Sequence, residues 1–486
     1  MKKALYILFG LALGLTLPIQ AEVLSLDSCR ARALRANKQI QMARMSQEAA
    51  VNARKMARTK YLPHIDLTGG YMYSSREISL LNDAQKLTLS NMGTTTVVPM
   101  TPYATSVIHE LIQNGALSRE TGIEIARGLN ELREGLNSAG QEVVDALATN
   151  THHIFMASAM LTQPLFMGGA ITAGNRIADL TEHMAATNIE QKESDVTYVV
   201  DNAYWTVVSL SQKQRLAHDY LALVEKLNAD VHKMIKEGVA TRADGLKVDV
   251  AVNEADMAKT QVDNGLALAK MYLCQQCGMP ISDDITLEDE GASANGNDNG
   301  NDNGNYEDRR ELQMLNDQIE ISKQQVKVAK AAYMPQLALT GGAIFTNPSV
   351  YNSFERKFKG NFTVGVMLKV PVLDWGENMY KVRMAKCNTN LARLNYDEAH
   401  DKIELQVEQS RFKLREANKN LTSATKNIQS AEENLRCANV GFKEGVMNTT
   451  DVMAAQTAWM KAHSQLIDAN INVILSKIAL DKAYGK

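Results

Sequence analysis

Two short stretches of the sequence decide the fold, because each occurs twice at the same spacing. Residues 163–169 read QPLFMGG and residues 370–376 read VPVLDWG, while residues 236–239 and 443–446 both read KEGV. The distance from the proline of the first element to the glycine of the second is identical in the two copies (238 − 164 = 74 and 445 − 371 = 74). A spacing kept without a gap indicates an internal duplication.

A second pair of motifs extends the duplication upstream. Tyr61-Leu62-Pro63 precedes LTGG at 67–70, and Tyr333-Met334-Pro335 precedes LTGG at 339–342. The offset is here 272 (333 − 61) instead of 207 (371 − 164), so the first copy has 65 extra residues (272 − 207). We predict a signal peptide at 1–21, a first repeat at 22–288 with an insertion at about 76–153, a flexible Asn/Gly/Asp-rich linker at 289–306, and a second repeat at 307–486.

The first residues indicate export. Lys2 and Lys3 precede an apolar run over residues 4–17, Pro18 ends that run, and Ala21 is a small residue suited to cleavage. The run is too short for a stable membrane span, so it is typical of a cleaved signal peptide.

Five cysteines remain in the mature chain: Cys29, Cys274, Cys277, Cys387 and Cys437. The C-x-x-C formed by Cys274 and Cys277 is compatible with a disulfide, a metal half-site or a redox pair. No further pair at metal-ligand spacing completes a zinc site, so we favour free or structural cysteines.

Between the duplicated elements, a heptad pattern predicts long helices. Large apolar residues recur every seventh position at Val407, Leu414, Leu421, Ile428, Leu435 and Phe442, and small residues recur at Ser410, Ala417, Ala424, Ala431 and Ala438. The first copy shares this register, with Gln214 and Asn228 as polar exceptions. Such a seam is typical of coiled coils, and a helix of about 70 residues would be roughly 100 Å long.

Each long helix is predicted to end at a tight turn. Gly238 and Gly445 suit the left-handed conformation that closes a helix, and Thr241 and Thr449 are candidate caps of the returning helices. Asp244 and Asp451 then lie in the first turn, where a carboxylate is favoured by the helix dipole. The sequence therefore predicts two long helical hairpins.

Four segments alternate with period two and predict β-strands: 65–74, 154–163, 337–345 and 362–370. Their length of about ten residues suits a tilted strand in a membrane. Open sheet edges cannot face lipid, and four strands are too few to close a barrel, so the barrel must be shared between copies of the chain.

Composition excludes other functional classes. A net charge of −3 provides no global attraction for nucleic acid. The sequence contains no glycine-rich phosphate loop, nucleophile elbow or metal-ligand spacing, so we predict no enzyme activity, no cofactor and no metal site.

The duplicated motifs resemble those of the TolC-type outer-membrane efflux protein family. The Pro-Leu-Phe-x-Gly-Gly element and the element formed by Gly445, Val446, Thr450, Asp451, Val452 and Ala455 are similar to its two landmark motifs. The resemblance covers residues 24–483 except the insertion and the linker. It implies a mainly α fold with a membrane β-barrel portion, in which long helical hairpins form a periplasmic barrel and four strands from each of three protomers form a 12-stranded barrel.

The resemblance also implies a function. It is that of an outer-membrane channel, spanning into the periplasm, of a tripartite efflux or type I secretion system. The implied partners are two sister protomers, outer-membrane lipid, a periplasmic adaptor protein and an inner-membrane pump of the RND or ABC type. Asp244 and Asp451 match gate positions, whereas Met447 stands where the prototype has a gate arginine. The implied docking tips are Gly238, Val239, Thr241, Gly445, Val446, Thr449 and Thr450. The alternative is a non-conducting trimeric coiled-coil scaffold or adhesin stalk.

Overall fold

The structure is a computed structural model that describes residues 23–76, 79–149, 151–291, 304–349 and 357–486. The predicted signal peptide and most of the predicted linker lie outside the described residues. The strands are β1 (Val23–Leu24), β2 (His64–Tyr73), β3 (His153–Met167), β4 (Thr286–Leu287), β5 (Gln336–Asn347) and β6 (Lys359–Lys369). The helices are α1 (Leu26–Ala36), α2 (Lys38–Thr59), α3 (Asp83–Ser90), α4 (Met92–Val97), α5 (Thr101–Gln113), α6 (Arg119–Ala146), α7 (Ala170–Lys236), α8 (Arg242–Gln276), α9 (Arg310–Ala331), α10 (Glu377–Lys443) and α11 (Thr449–Ala483).

The two repeats form helices of equal length. Helices α2 and α9 each have 22 residues, α7 and α10 each have 67, and α8 and α11 each have 35. This agreement confirms that the fold is mainly helical and internally duplicated.

The chain divides into two compact units. The helical unit contains the residues up to Ala57 together with Thr172–Lys330 and Gly376–Lys486. The sheet unit contains Arg58–Ile171 and Ala331–Trp375. Among the described residues, no helix combines the length and the apolar character needed to cross a membrane.

The predicted heptad seam is the buried face of the long helices. In α10 the buried positions include Val407, Leu414, Ala417, Ala424, Ala431, Leu435 and Ala438. The small residues of the second row leave room for close approach of a neighbouring helix, while the larger row supplies most of the buried apolar area. The positions that recur every seven residues are thus buried, as the sequence predicts.

The two polar exceptions in the seam of α7 are both paired with aspartates on α8. Gln214 Nε2 donates to Asp263 Oδ1 at 2.7 Å, and Asn228 Nδ2 donates to Asp249 Oδ1 at 2.9 Å. His232 Nε2 also donates to Asp249 Oδ1 at 3.0 Å. These hydrogen bonds hold down the pKa of the Asp249 carboxyl, with the bond from His232 as the main cause. The two sites lie two heptads apart on both helices (228 − 214 = 14 and 263 − 249 = 14), so they fix the register of the first hairpin.

The sheet unit contains one antiparallel four-stranded sheet in the order β2-β3-β5-β6. Its strands correspond to the four segments predicted from alternation, and β3 extends beyond Gln163 through a bulge at Pro164 to Met167. Trp375, which follows the end of β6, is 89% exposed in the single chain. It has a positive φ of 51°, and the next residue, Gly376, has φ 87°.

The stretch that we interpret as an insertion contains helices α3 to α6. Two glycines allow these helices to pack through their backbones: a Cβ on Gly93 would lie 2.0 Å from the carbonyl oxygen of Arg133, and one on Gly140 would lie 1.8 Å from that of Leu89. Asn137 Oδ1 accepts from the backbone N–H groups of Gly93 and Thr94 at 2.8 and 3.0 Å. Helix α6 therefore organises the shorter helices around it.

We expect Gly140→Ala to destabilise these four helices, because the added methyl group must displace the backbone of α3. Gly128→Ala is the matched control on the same helix, since a Cβ there meets nothing within 4 Å. In the control, the higher helix propensity of alanine should increase the stability of the helix by up to about 1 kcal/mol. Limited proteolysis between α3 and α6 checks both variants. Equal protease resistance of the two would contradict the packing described here.

We expect Asp249→Ala to loosen the first hairpin, because the amide of Asn228 then loses its acceptor on α8. Hydrogen exchange of the nearby α7 and α8 amides should become on the order of threefold to tenfold faster. The double variant Asn228→Leu/Asp249→Gln installs the residues found at the matching positions of the second hairpin, Leu435 and Gln456, and should restore slow exchange.

The contribution of Asp249 also depends on pH. Because the folded pKa is below the usual aspartate range, the stabilisation is present above the unfolded pKa and is lost only as the pH falls through the lowered value. Hydrogen-exchange rates of the nearby amides, corrected for their intrinsic pH dependence, test whether this stabilisation is lost toward low pH. Loss of protection at a pH above the ordinary aspartate range would contradict this assignment.

Candidate functional site

The tip of the first hairpin is a well-defined turn between α7 and α8. The amide of Val239 donates to the carbonyl of Met234 at 2.8 Å, and that of Gly238 donates to Ile235 at 3.1 Å. This pair of bonds is the Schellman motif, which requires a positive φ at the residue after the cap, and Gly238 has φ 76°. Val239 is 70% exposed, so the turn presents an apolar side chain to its surroundings.

The second hairpin repeats this turn between α10 and α11. The amide of Val446 donates to the carbonyl of Gly441 at 2.8 Å, and that of Gly445, with φ 72°, donates to Phe442 at 3.2 Å. Val446 is 81% exposed. Both predicted tips therefore have the same backbone conformation, and each presents an exposed valine.

Each returning helix starts with a reciprocal capping box. Thr241 is the N-cap of α8, as predicted: its hydroxyl accepts from the amide of Asp244, and the carboxylate of Asp244 accepts from the amide of Thr241 at 3.2 Å. On α11 the cap is Asn448, so the prediction that Thr449 caps this helix is wrong. Thr449 is the first helical residue and is buried, whereas the amide side chain of Asn448 reaches the amide of Asp451 at 3.0 Å. An Asn three residues before an Asp is itself a capping-box signal that sequence analysis could have used.

The two gate candidates are held by these caps. The carboxylate of Asp244 accepts from the Thr241 hydroxyl at 2.6 Å and lies 3.6 Å from Lys247 Nζ. The hydrogen bonds from Thr241 lower the pKa of the Asp244 carboxyl, and Lys247 adds a smaller effect. Asp451 accepts from the amide of Asn448 at 3.2 Å. Both carboxylates are thus ordered acceptors in the first turn of a helix.

Just below the tips, one apolar cluster joins all four helices of the two hairpins. Val231 of α7, Val248 of α8, Leu435 of α10 and Val452 of α11 are buried in it. Trp459 packs against the same cluster. The structure therefore brings the two hairpins side by side near their turns.

The sheet has two chemically different faces. The register places Leu67 beside Ala159, Ala159 beside Ala343, and Ala343 beside Phe362, all on one face. That face is lined by apolar and glycine residues over most of its area, including Ile65, Leu67, Leu161, Leu339, Phe362, Val364, Val366 and Leu368. The opposite face is more polar and carries Asp66, Thr68, Ser158, Thr162, Thr340, Asn361 and Thr363, together with glycines, methionines, Ile154 and Ile344.

Aromatic rings cluster at one end of the apolar face. Tyr71 packs on Phe155 at 4.9 Å between ring centroids, and Tyr73 packs on His153 at 5.4 Å. The hydroxyl of Tyr71 is hydrogen-bonded to His153 Nδ1 at 2.8 Å. Rings with one apolar and one polar side are typical of membrane–water interfaces. From the sequence His153 is interpreted as a girdle or loop residue; the structure places it in this cluster.

Within the described residues, β2 and β6 are each paired along one side only. Their outer backbone N–H and C=O groups therefore require partners that this part of the chain does not supply. Many large apolar side chains on these two strands are also exposed, among them Leu67, Phe362 and Val364.

The helical unit also contains an open cleft of about 560 Å³. Its charged residues are largely paired among themselves: Arg30 Nε lies 2.7 Å from Asp201 Oδ1, and Arg310 Nε lies 3.2 Å from Glu190 Oε2. Elsewhere, the described residues contain one group with metal-ligand spacing, His400, Asp401 and Glu404, and it consists mainly of exposed acids. Neither feature indicates a catalytic centre.

Comparison with known proteins supports the resemblance found in the sequence. The family model described as outer membrane efflux protein matches residues 306–486. No curated protein sequence matches the chain. Solved structures with the same fold include the outer membrane protein VceC of Vibrio cholerae, with TM-score 0.70, 14% identity, and coverage of 95% of this chain and 96% of that one.

Two further channel structures have the same fold. The CmeC outer membrane channel of Campylobacter jejuni aligns with TM-score 0.70 and 12% identity over 95% of this chain and 85% of that one. The MtrE outer membrane channel of Neisseria gonorrhoeae, solved in its open state, aligns with TM-score 0.65 and 14% identity over 95% of this chain and 88% of that one. At these identities the shared property is the fold.

The family match and the fold agree with each other. The matched residues contain the second hairpin, its tip, and strands β5 and β6, which are the elements that the motifs predict. The family is one of channels in the outer membrane that extend into the periplasm, and it is not a class of enzymes. Residues 306–486 thus match the outer membrane efflux protein family, and the whole chain has the fold of the outer-membrane channel structures compared with it.

Proposed function

We propose that the protein is the outer-membrane channel of a tripartite efflux or type I secretion system. The observation that carries this proposal is the four-stranded sheet, which has one apolar face, one polar and small-residue face, and two open edges. In lipid, the apolar face would contact hydrocarbon and the polar face would line a water-filled passage. The open edges would be satisfied by the same edges of sister chains.

The helical unit supports assembly with sister chains. On α10, exposed apolar residues recur at or near heptad spacing at Met384, Leu391, Leu405 and Phe412. A second exposed series follows α8 at Leu246, Val250, Met257 and Leu268. These two faces differ from each other, so contact between them would be head-to-tail, which closes into a ring when the rotation permits. We propose that the ring is the homotrimer that the family resemblance implies, with twelve strands in its barrel.

The hairpin tips are the proposed contact with a periplasmic adaptor protein, which would connect the channel to an inner-membrane pump. The exposed Val239 and Val446 on identical rigid turns offer two equivalent apolar anchors per chain. Gly238, Gly445, Thr241 and Thr450 belong to the same surface, while the buried Thr449 supports the turn from within. Asp244 and Asp451 would form a ring of six carboxylates in a trimer that attracts cations at the narrow end.

A non-conducting coiled-coil scaffold or adhesin stalk would account for the helices alone. It provides no reason for a sheet whose two faces differ in polarity or for the aromatic rings at one end of the apolar face. The sheet therefore favours the channel.

We expect Val364→Arg to prevent stable insertion, because it places a charge on the proposed lipid face. A cost of about 2–4 kcal/mol is typical of arginine at the middle of the bilayer. Thr363→Arg is the matched control, since this neighbour is equally exposed in the single chain but lies on the opposite face. The yield of heat-resistant trimers in outer-membrane extracts measures the effect. The proposal fails if both variants assemble equally well.

We expect Asp244→Asn/Asp451→Asn to reduce the cation preference of single channels in planar bilayers, because asparagine keeps an acceptor for the cap but removes the charge. The hydrogen bonds from Thr241 lower the pKa of the Asp244 carboxyl, so the share of the cation preference that Asp244 contributes should persist as the pH falls through about 4, the ordinary aspartate value. It should be lost only at lower pH.

The matched control for this experiment is Glu237→Gln/Glu444→Gln, which removes two exposed acids at the same tips whose side chains are not part of the capping boxes. This variant should conduct like the parent. A change in selectivity in the glutamine variant with none in the asparagine variant would show that the gate residues are wrongly assigned.

A further inference from the structure

We propose that Cys29 and Cys277 form a disulfide bond in the exported protein and thereby fasten the N-terminal helix α1 to the end of α8. This inference rests on the export of the chain and does not depend on conduction or on the identity of the partners. The two cysteines have no role in the proposed barrel, gate or docking tips.

The two thiols lie in the same buried cluster inside the helical unit. Cys29 is 0% exposed and Cys277 is 1% exposed, and both belong to one cluster with Ala33 and Leu273. The thiol of Cys277 is hydrogen-bonded to Cys29, and this contact together with burial raises the pKa of Cys277. Two hydrogen-bonded thiols that lie in one buried cluster need little movement to become bonded.

The remaining cysteines are placed differently. Cys274, although near Cys277, donates its S–H to the carbonyl oxygen of Ser282 at 3.4 Å. Cys387 and Cys437 are exposed on α10. The three buried thiols are also not arranged for a metal ion, since the group with suitable ligand spacing among the described residues is the one around His400. Among the five cysteines, Cys29 and Cys277 are therefore the pair placed to form a disulfide bond.

The polypeptide around this pair is closely packed. Strands β1 and β4 pair in parallel, with Leu24 opposite Leu287. A Cβ on Gly278, the residue after Cys277, would lie 2.3 Å from the Cβ of Ala36 at the end of α1. Contacts before and after the thiols thus hold α1 against the same part of the chain, which leaves the sulfurs little freedom to separate.

A covalent bond would matter here because α1 is short and close to the N-terminus of the mature chain. Terminal segments are the first to detach unless they are tied down. The bond would close a loop between positions 29 and 277 (277 − 29 = 248), and closing a long loop reduces the conformational entropy of the unfolded chain.

The chemistry requires a disulfide oxidant, as supplied by proteins or small molecules of oxidising compartments. One cysteine thiolate attacks a sulfur of the oxidant and releases the first oxidant thiol. The second cysteine thiolate then attacks the resulting mixed disulfide and releases the other oxidant thiol. Two cysteine S–H groups become one S–S bond, and the two electrons and two protons reduce the oxidant disulfide to two thiols. Since both cysteines are buried in the folded chain, the oxidant reaches the first cysteine before α1 docks, and the docking brings the second thiol to the mixed disulfide.

The test is mass spectrometry of the full-length exported protein, denatured in an alkylating reagent without reductant. We expect the peptide containing Cys29 to be joined to the peptide containing Cys274 and Cys277, and to be released by a reductant, while Cys387 and Cys437 are alkylated. Cys274→Ser should keep the cross-link, whereas Cys277→Ser should abolish it. Alkylated Cys29 in the unreduced parent protein, or a bond between Cys274 and Cys277, would overturn the proposal.

A second measurement addresses the role of the bond. Reduction should lower the melting temperature of the parent protein and leave that of Cys29→Ala unchanged, while Cys387→Ser/Cys437→Ser should respond as the parent does. Channel conductance of Cys29→Ala distinguishes this inference from the proposed function, because a protein without the cross-link should still conduct. An equal change in melting temperature of the parent and of Cys29→Ala upon reduction would contradict the proposed role of the bond.

Discussion

The constraint on which the structure depends is the need of backbone N–H and C=O groups for hydrogen-bond partners where water is absent. The sheet of the described chain satisfies these groups between its strands but leaves the outer sides of β2 and β6 open. A lipid environment offers no replacement for the missing bonds. Under the proposed function, sister chains supply these bonds, and the exposed apolar series on α8 and α10 would pack in the same assembly.

The helices solve a different problem, which is to keep two very long elements in register. A uniform apolar seam can slide by a heptad without changing its chemistry, whereas a seam that contains a hydrogen-bonded polar pair cannot. The first hairpin has such pairs in Gln214 with Asp263 and Asn228 with Asp249. The second hairpin has Leu421 and Leu435 at the matching positions, so the duplicated halves share geometry but differ in how strongly their register is specified.

Much of this fold is predictable because its signals are periodic. The alternation of apolar and polar residues predicts all four strands of the sheet. The recurrence of apolar residues every seven positions predicts the buried faces of α7 and α10. The error concerns a residue whose role depends on one local interaction. Asn448 takes the cap position predicted for Thr449 because its side chain accepts from the amide of Asp451. The contact between Cys29 and Cys277 joins distant parts of the chain, so no local pattern could reveal it.

The equal lengths of the paired helices restrict how this chain can change. Both descending helices have 67 residues, both returning helices have 35, and the cluster below the turns packs all four together. Deleting one heptad from each arm of a single hairpin would withdraw its tip by about 10 Å and leave the other tip without its neighbour. Changes in length are therefore tolerable only when both halves of the duplication undergo them together, so the reach of this protein across the cell envelope can evolve only in matched steps.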